Sequence, residues 1–488
     1  MPCTTILVGK NASWDGSTMM ARNEDSGGDH FDSKKFIVVK PEEQPRHYTA
    51  KLSKVTIELP EEPMRYTAMP NAIDDEGIWG ECGFNECNVA MTATETITSN
   101  PRVQGADPMV KDGIGEEDLL TIVLPYIHSA REGVFRLGEL LKTYGTYEKN
   151  GIGFQDKDEI WWFESIGGHH FIAKRVPDDE YVVMPNQMGI DSFDFVDAFG
   201  PQRDCICSED MIGFIEQNHL DISYHEEPLK EVRDFDARAA LGSHDDSDHS
   251  YNTCRAWYML RYLNPTTWRW DGENADYTPF SDDLPWSMIP EKKVTVEDIK
   301  YILSSHYQGT DYDPYSSHAD PLKKGMLRPI GVNRNNFLGI TVLRPDVPEE
   351  ISAVEWIAEG SNVFNAAMPF YANVNTTPAY LAGTCAEVTT ENLYWANRII
   401  GALADAHYAE AAIHIERYQA DIALSGHRFL MKFDAQYAAG IQGTVQEYLE
   451  GCNEEIAADL KKKTGELLDK VLYQGSLKMK NAYNRADA

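Results

Sequence analysis

The first hundred residues carry short runs of apolar and β-branched residues separated by polar turns, a pattern typical of strands. Residues 4–8, the polar turn at 11–17 and residues 18–22 predict a β-hairpin. Further strands are predicted at 36–40, 48–59, 88–96, 159–165, 170–176 and 181–184. Among them, residues 116–131 have amphipathic periodicity and an acidic first turn, which predict a helix.

The pattern changes twice in the rest of the chain. Residues from about 195 to 335 are rich in loops, proline, aspartate and aromatic residues, with short helices such as 253–262. Strands are predicted again at 337–343 and 363–371, and from Thr390 onward apolar residues recur at helical spacing. This order predicts an α/β (α+β) sandwich with a helical C-terminal region, and it argues against a doubly wound Rossmann sheet.

Composition narrows the classes of function. The 488 residues are 42% apolar, contain no apolar stretch long enough to span a membrane, and do not begin with the pattern of a secretory signal. The formal net charge of −34 opposes phosphate backbones and anionic membranes, so neither a nucleic acid nor a membrane is expected as a partner. The eight cysteines show no disulfide framework, which favours reduced thiols and a cytoplasmic location. No glycine-rich nucleotide loop is present, and no cofactor is expected.

Cys3 is the first candidate for chemistry, because it opens the first predicted strand two residues from the start. A cysteine at the start of a mature chain carries a thiol and an α-amine with unperturbed pKa values of roughly 8.5 and roughly 8. The free amine can take the thiol proton and later protonate a leaving amine. The structural alternative is a buried thiol near a frayed terminus.

The predicted hairpin brings the end of its second strand back beside Cys3. Arg22 near the thiol would favour the thiolate, and Asp25 could accept a hydrogen bond from the N-terminal ammonium and orient it. A charged turn with a surface ion pair is the alternative interpretation of this tetrapeptide.

At these residues the sequence resembles the dipeptidase A family of cysteine peptidases, which includes dipeptidases of lactic acid bacteria and the secernins. That family is similar to the penicillin V acylases and bile salt hydrolases of the N-terminal nucleophile (Ntn) hydrolase superfamily. The segments that carry the resemblance are Cys3-Thr4-Thr5-Ile6, Asp15-Gly16-Ser17-Thr18, Ala21-Arg22-Asn23-Glu24-Asp25, Gly83-Phe84-Asn85-Glu86, Ala93-Thr94-Glu95-Thr96 and Val183-Met184-Pro185-Asn186-Gln187.

The resemblance implies a fold and a set of boundaries. The fold is a four-layer αββα Ntn-hydrolase sandwich. Met1 and Pro2 form a short leader that is removed on maturation, residues 3–385 form the catalytic domain with a loop-rich insertion at about 195–335, and residues 386–488 form a helical region packed on the same domain. A homo-oligomer is expected from the same resemblance.

The resemblance also implies roles for particular residues. Cys3 is the nucleophile, and Arg22 and Asp25 match an R-N-x-D element. Asn186 matches an asparagine that contributes to the oxyanion hole, and Arg255 matches an arginine that the acylases place near the nucleophile.

One position departs from the acylase pattern. Glu95 stands where the acylases have a second asparagine after the N-E-x-G element, and we expect it to bind the free α-amine of a peptide substrate. The neighbouring Glu24 is a second candidate for substrate binding, because acidic groups close to the motifs favour dipeptides over N-acyl substrates.

The function implied is that of a cysteine dipeptidase with broad specificity, working through a thioester acyl-enzyme. Two alternatives remain within the superfamily: an acylase of non-peptide amides, of the penicillin V or bile salt type, or a non-catalytic regulatory protein like a secernin. A metallopeptidase is the rival outside it, because residues 244–249 (His-Asp-Asp-Ser-Asp-His) have the composition of metal ligands without H-E-x-x-H spacing.

Overall fold

A computed structural model describes residues 3–28, 30–73, 77–224 and 227–481, with the side chains of 93–95 left aside. The strands in these ranges are β1 (Cys3–Val8), β2 (Thr18–Asp25), β3 (Ile37–Val39), β4 (His47–Thr49), β5 (Thr56–Glu58), β6 (Tyr66–Ala68), β7 (Cys82–Phe84), β8 (Ala90–Thr96), β9 (Asn150–Gln155), β10 (Ile160–Ser165), β11 (Phe171–Arg175), β12 (Tyr181–Met184), β13 (Cys205–Cys207), β14 (Ser287–Met288), β15 (Asn335–Leu343), β16 (Ala353–Glu359) and β17 (Met368–Tyr371). The helices are α1 (Pro101–Ala106), α2 (Leu119–Val123), α3 (Ala130–Tyr144), α4 (Phe195–Ala198), α5 (Met211–Gln217), α6 (Ala237–Leu241), α7 (Asp246–Asp248), α8 (Cys254–Leu263), α9 (Val296–Leu303), α10 (Glu349–Ser352), α11 (Ala379–Ala382), α12 (Leu393–Asp405), α13 (Tyr408–Ala439) and α14 (Val445–Leu477).

Two antiparallel sheets form the centre of the molecule. The first has the strand order β14-β12-β1-β2-β15-β16-β17, and the second has the order β13-β11-β10-β9-β8-β7. Strand β1 is therefore an interior strand, with β2 on one side and β12 on the other. The register pairs Cys3 with Glu24 across β1 and β2, and Thr5 with Met184 across β1 and β12.

The two sheets face each other through alternate residues of β1 and β2. A Cβ on Gly153 of β9 would lie 2.5 Å from the Met20 sulfur, so the glycine lets the side chains of the first sheet approach the second closely. Because successive side chains of a strand point to opposite faces, Cys3 and Arg22 share the inter-sheet face with Leu7 and Met20.

Helices pack against strands of both sheets. Helix α3 lies on β9 and β10, where the helical Gly133 contacts Phe154. Helices α8 and α9 contact β12 and β2, and the C-terminal helices α12–α14 contact β16 and β17. Asn453 joins α14 to β17. Its Oδ1 accepts a hydrogen bond from the N–H of Tyr371, and its Nδ2 donates to the carbonyl of Tyr371. The mixed α+β class predicted from the sequence is confirmed.

Several predicted elements differ from the structure. The helix predicted at 116–131 is wrong: short 3₁₀ turns at Glu116–Asp118 and Leu124–Tyr126 flank α2, and α3 begins only after the N-cap Ser129. Pro125 explains the break, because it lacks the N–H that a helix interior needs. The strand predicted at 48–59 is a hairpin of β4 and β5, and the strand predicted at 363–371 begins at Met368. The strands that the sequence analysis does not predict are β6, β7, β9, β13, β14 and β16.

None of the helices in the described ranges combines the length and the hydropathy that crossing a bilayer requires.

Candidate active site

Cys3 lies at the beginning of β1, with its side chain fully buried in the space between the sheets. Its Sγ accepts a hydrogen bond from Nη2 of Arg22 at 2.7 Å, and its backbone nitrogen donates to Oδ1 of Asn186 at 3.1 Å. A guanidinium at this distance from sulfur favours the thiolate, which is the nucleophilic form. These two hydrogen bonds therefore fix the positions of the Cys3 sulfur, which is a potential nucleophile, and of the Cys3 backbone nitrogen.

Arg22 is held in place by two carboxylates from distant segments. Its Nη1 lies 2.6 Å from Glu81 and its Nη2 lies 3.3 Å from Glu116. Burial alone would lower the pKa of Arg22, but the charges of Cys3, Glu81 and Glu116 raise it well above its usual value. Glu81 has a φ of 66°, in the left-handed region that residues other than glycine seldom adopt, so the backbone is strained at this support.

A buried charge network continues from Arg22 away from the thiol. Nζ of Lys34 lies 2.6 Å from Glu24 and 3.3 Å from Glu81, and all three side chains are inaccessible to solvent. Burial and the neighbouring Glu81 raise the pKa of Glu24 to about 8, while Lys34 opposes the rise. Glu24 also accepts a bond from Asn336 at 3.3 Å. Glu24, which the sequence analysis names as a candidate for substrate binding, is thus a buried carboxyl group paired with lysine, and its role toward a substrate stays a prediction.

Asn186 faces Cys3 because of the sheet register. It follows the last residue of β12 by two positions, and continuing the β1–β12 pairing brings it opposite Cys3. Its Oδ1 accepts bonds from the Cys3 nitrogen and from Nη2 of Arg255 at 2.8 Å. These two donors fix the orientation of the amide, so that Nδ2 is the atom with which Asn186 can donate.

Arg255 uses all five of its N–H donors. It lies on α8, immediately after a π-helical turn at His249–Thr253, and its side chain is fully buried. Besides Asn186, it donates to Oγ1 of Thr4 at 2.7 Å and to the carbonyl of Cys3. Its remaining bonds go to the Tyr251 carbonyl at 2.8 Å and to Oδ1 of Asn252 at 2.6 Å. Arg255 therefore anchors both the Cys3 backbone and the Asn186 amide.

Asp25 lies one residue beyond the partner of Cys3, and its side chain bonds elsewhere. Its carboxylate is paired with Arg328 and accepts a hydrogen bond from Asn335. The guanidinium of Arg328 lies 4.8 Å over the ring of Tyr251, which links this pair to the turn before α8. The Cys3 nitrogen donates to Asn186 in this structure, and the hydrogen bond expected from a free N-terminal ammonium to Asp25 stays a prediction.

Three further predictions concern other segments. Met1 and Pro2 and the side chain of Glu95 fall outside the described residues; the Glu95 backbone lies on β8 opposite Gly151, next to an irregular step in the pairing. In the segment 244–249, Asp245 caps α7 and His249 pairs with Asp282 at 2.9 Å. Across the described ranges, no group of three or more His, Cys, Asp or Glu side chains is arranged to hold a metal ion.

Sequence reasoning missed the residues that surround the predicted ones. They are Lys34, Glu81, Glu116, Arg328 and Asn335, which lie in four segments between 10 and 310 positions from their partners in β2. None belongs to a motif. Asn335 reaches Asp25 through the pairing of β2 with β15, and the other four lie outside the strands that pair with β2.

The chain was compared with known proteins. A model of Peptidase family C69 matches residues 2–421. The chain is 51% identical to a protein named dipeptidase from Bifidobacterium longum (strain NCC 2705), and 50% identical to a probable dipeptidase A from Streptococcus pyogenes serotype M3 (strain SSI-1), in both cases over all of both chains. It is 44% identical to a probable dipeptidase B from Lactococcus lactis subsp. lactis (strain IL1403), over 99% of this chain and 98% of the other.

Proposed function

This chain belongs to peptidase family C69, and from that premise we propose that it is a cysteine dipeptidase of broad specificity whose nucleophile is the Cys3 thiol. The observation that carries the proposal is the contact of Cys3 with two groups at once. Arg22 lies 2.7 Å from the sulfur, and the Asn186 amide oxygen lies 3.1 Å from the nitrogen. The relatives' names supply the substrate class, since all three are called dipeptidases.

The proposed catalyst needs a free amine on Cys3. While Pro2 is attached, this nitrogen is an amide that cannot act as a base, so removal of Met1 and Pro2 has to precede activity. The released amine would still donate a hydrogen bond to Asn186. Asp25 lies next to Glu24, the residue of β2 that pairs with Cys3. The two facing antiparallel sheets with helices against each are consistent with the αββα sandwich of Ntn hydrolases, in which such an amine is the general base.

The proposed reaction has two acyl-transfer steps. The Cys3 amine takes the thiol proton, and the sulfur attacks the peptide carbonyl to form a tetrahedral oxyanion. The Nδ2 of Asn186 donates to the oxyanion; losing one such donor costs about 10²–10³ in kcat. The amine then protonates the departing amino acid, and the C–N bond breaks to leave a thioester. Water, deprotonated by the same amine, attacks the thioester, releases the second amino acid and returns the proton to the thiolate.

Recognition of a dipeptide requires a partner for its free α-ammonium. We retain Glu95 for this role, because its place on β8 lies in the sheet that faces Cys3. Glu24 stays the second candidate, with its carboxyl group paired with Lys34. Changing Glu95 to Gln should raise KM for dipeptides without changing KM for N-acetylated dipeptides, and an unchanged KM for both would eliminate Glu95.

The remaining features of the proposal concern organisation. We propose that residues 3–385 form one catalytic domain, and the contacts of α12–α14 with β16 and β17 support docking of residues 386–488 on it. A homo-oligomer in the cytoplasm remains a prediction.

The experiment that tests the function combines intact mass with kinetics. The purified protein should have the mass of a chain that begins at Cys3, and Cys3→Ala should abolish dipeptide hydrolysis. Cys87→Ala is the matched control, because Cys87 is an exposed thiol outside the site. A wild-type chain that still begins at Pro2 and hydrolyses dipeptides at full rate would refute the mechanism.

A substrate panel separates the alternatives within the superfamily. A dipeptidase should cleave unblocked dipeptides and neither penicillin V nor a glycine-conjugated bile salt. The opposite selectivity would indicate an acylase, and no hydrolysis of any of them by a correctly processed chain would indicate a regulatory protein.

A further inference from the structure

A cavity lies on the helical side of the first sheet, with no lining residue in common with the Cys3 site. Its volume is about 390 Å³, within the range of about 300–1,000 Å³ that is usual for small-molecule sites. Helices α9 and α13 form two walls, and Trp356 of β16 and the loop before β17 form the others. Val296, Val363, Ala366 and Ala423 make much of this lining apolar.

Lys300 is the unusual residue of this cavity. Its Nζ donates to Oγ of Ser304 at 2.6 Å and to the carbonyl of Asn362 at 2.9 Å, and both acceptors are neutral. No carboxylate of the described residues lies within 4.0 Å of this nitrogen, which retains one further donor. Burial lowers the pKa of Lys300 to about 7. An ammonium held in this way is stabilised by any anion that enters the cavity.

The other titratable groups of the lining already have partners or face the solvent. Glu297 bonds His427 at 2.6 Å, and His306 bonds Asp313 at 2.8 Å and the Tyr408 hydroxyl at 3.0 Å. Glu416 and Tyr301 are exposed at the mouth. Within the described lining, Lys300 is therefore the cationic group that has no acidic partner.

We propose that this cavity binds a small organic carboxylate with a branched apolar body, whose carboxylate pairs with Lys300 and whose body packs on Val363, Ala366 and Trp356. Such a pair forms a charge-assisted hydrogen bond in partly desolvated surroundings. Free amino acids with apolar side chains and simple branched carboxylates share this chemistry. The proposal does not depend on the proposed function, because it concerns binding at a separate place.

Isothermal titration calorimetry on the full chain tests the proposal with 4-methylpentanoate as the probe. The neutral 4-methylpentanamide has the same body without the charge and should bind at least about tenfold more weakly. Lys300→Met keeps an unbranched side chain one atom shorter and removes the charge, so it should weaken 4-methylpentanoate binding by at least about tenfold, whereas Lys292→Met, at an exposed position before α9, should not.

A second variant separates the cavity from any other site. Ala423→Leu narrows the cavity and leaves the charge in place, so it should also weaken binding if the probe occupies this space. Titration with L-leucine distinguishes the two ligand classes. If L-leucine binds at least as tightly as 4-methylpentanoate, the ligand of the cavity is a free amino acid; if it binds more weakly, the ligand is a simple carboxylate. Equal affinity of wild type and folded Lys300→Met, or no binding to wild type up to about 10 mM, would overturn the proposal.

Discussion

Replacing Arg255 by lysine tests the argument that one guanidinium positions the Asn186 amide. The substitution keeps the positive charge and most of the length of the side chain. Lysine has three N–H donors in place of the five that Arg255 uses, and it cannot reproduce their planar fork. At least two buried acceptors therefore lose their partner.

The loss of stability follows from the number of buried acceptors that lose their partner. A buried polar group left without a partner costs about 1–3 kcal/mol, so the free energy of unfolding should fall by about 2–6 kcal/mol. The effect on catalysis has a separate origin. Without the bond from Arg255 at 2.8 Å, the Asn186 Oδ1 loses one of the two donors that orient the amide, so Nδ2 no longer faces the oxyanion reliably. We expect kcat for dipeptide hydrolysis to fall by about 10²–10³, with a smaller change in KM.

Urea unfolding and steady-state kinetics on the same preparation measure the two effects separately. Arg261→Lys is the matched control, because Arg261 lies on the same helix but is partly exposed and pairs with Asp271 at 2.9 Å. Its cost should be at most about 1 kcal/mol, with unchanged kcat. If Arg255→Lys lost the expected stability but kept wild-type kcat, Arg255 would support the fold alone and the positioning argument would be wrong.

Three further substitutions test other parts of the structure. Burial raises the pKa of Glu355 to about 8, so the unfolded chain releases this proton first and stability falls as pH rises from about 4.5 to 8. Glu355→Gln should remove this pH dependence of the free energy of unfolding, which is at most about 1.4 kcal/mol per pH unit and can be measured by urea unfolding. Parallel curves of unfolding free energy against pH for variant and wild type would contradict this prediction. A Cβ on Gly83 would lie 1.7 Å from the Thr67 carbonyl, so Gly83→Ala should cost at least about 4 kcal/mol. Gly105→Ala in α1 meets nothing within 4 Å and should raise the melting temperature slightly, and similar melting temperatures for these two variants would refute the packing argument. Lys34→Met leaves the buried Glu24 without its cation, while Glu81 keeps Arg22, and should cost about 3–5 kcal/mol, more at pH 8 than at pH 6; an equal loss at both pH values would indicate a packing effect only.

The local part of this arrangement could be predicted from the sequence. The alternation in residues 4–8 and 18–22 and the polar turn between them indicate the β1–β2 hairpin, and this hairpin places Arg22 beside Cys3. Asn186 could be singled out because it follows a predicted strand. The break between α2 and α3 could also have been predicted, because Pro125 is visible in the sequence and lacks the N–H that a helix interior needs.

The supporting residues depend on long-range pairing that no local pattern encodes. Arg328 and Asn335 bond Asp25 from 303 and 310 positions away, and Asn335 reaches it through the pairing of β2 with β15. Glu81 reaches Arg22 through a left-handed backbone conformation that its residue type does not favour. Composition could not indicate Lys300 either, since its lack of an acidic partner is a property of the folded cavity.

The interior position of β1 has a consequence for the order of events during synthesis. Cys3 leaves the ribosome before the strands that complete its sheet: β1 needs β12 on one side, and β2 in turn needs β15. The surroundings of the thiol are therefore incomplete until Asn335 has been translated and has reached Asp25. Contacts of such high sequence separation form late and slowly. A nascent chain would accordingly carry an inert thiol, and cleavage before Cys3 would mark a molecule whose sheet has already closed.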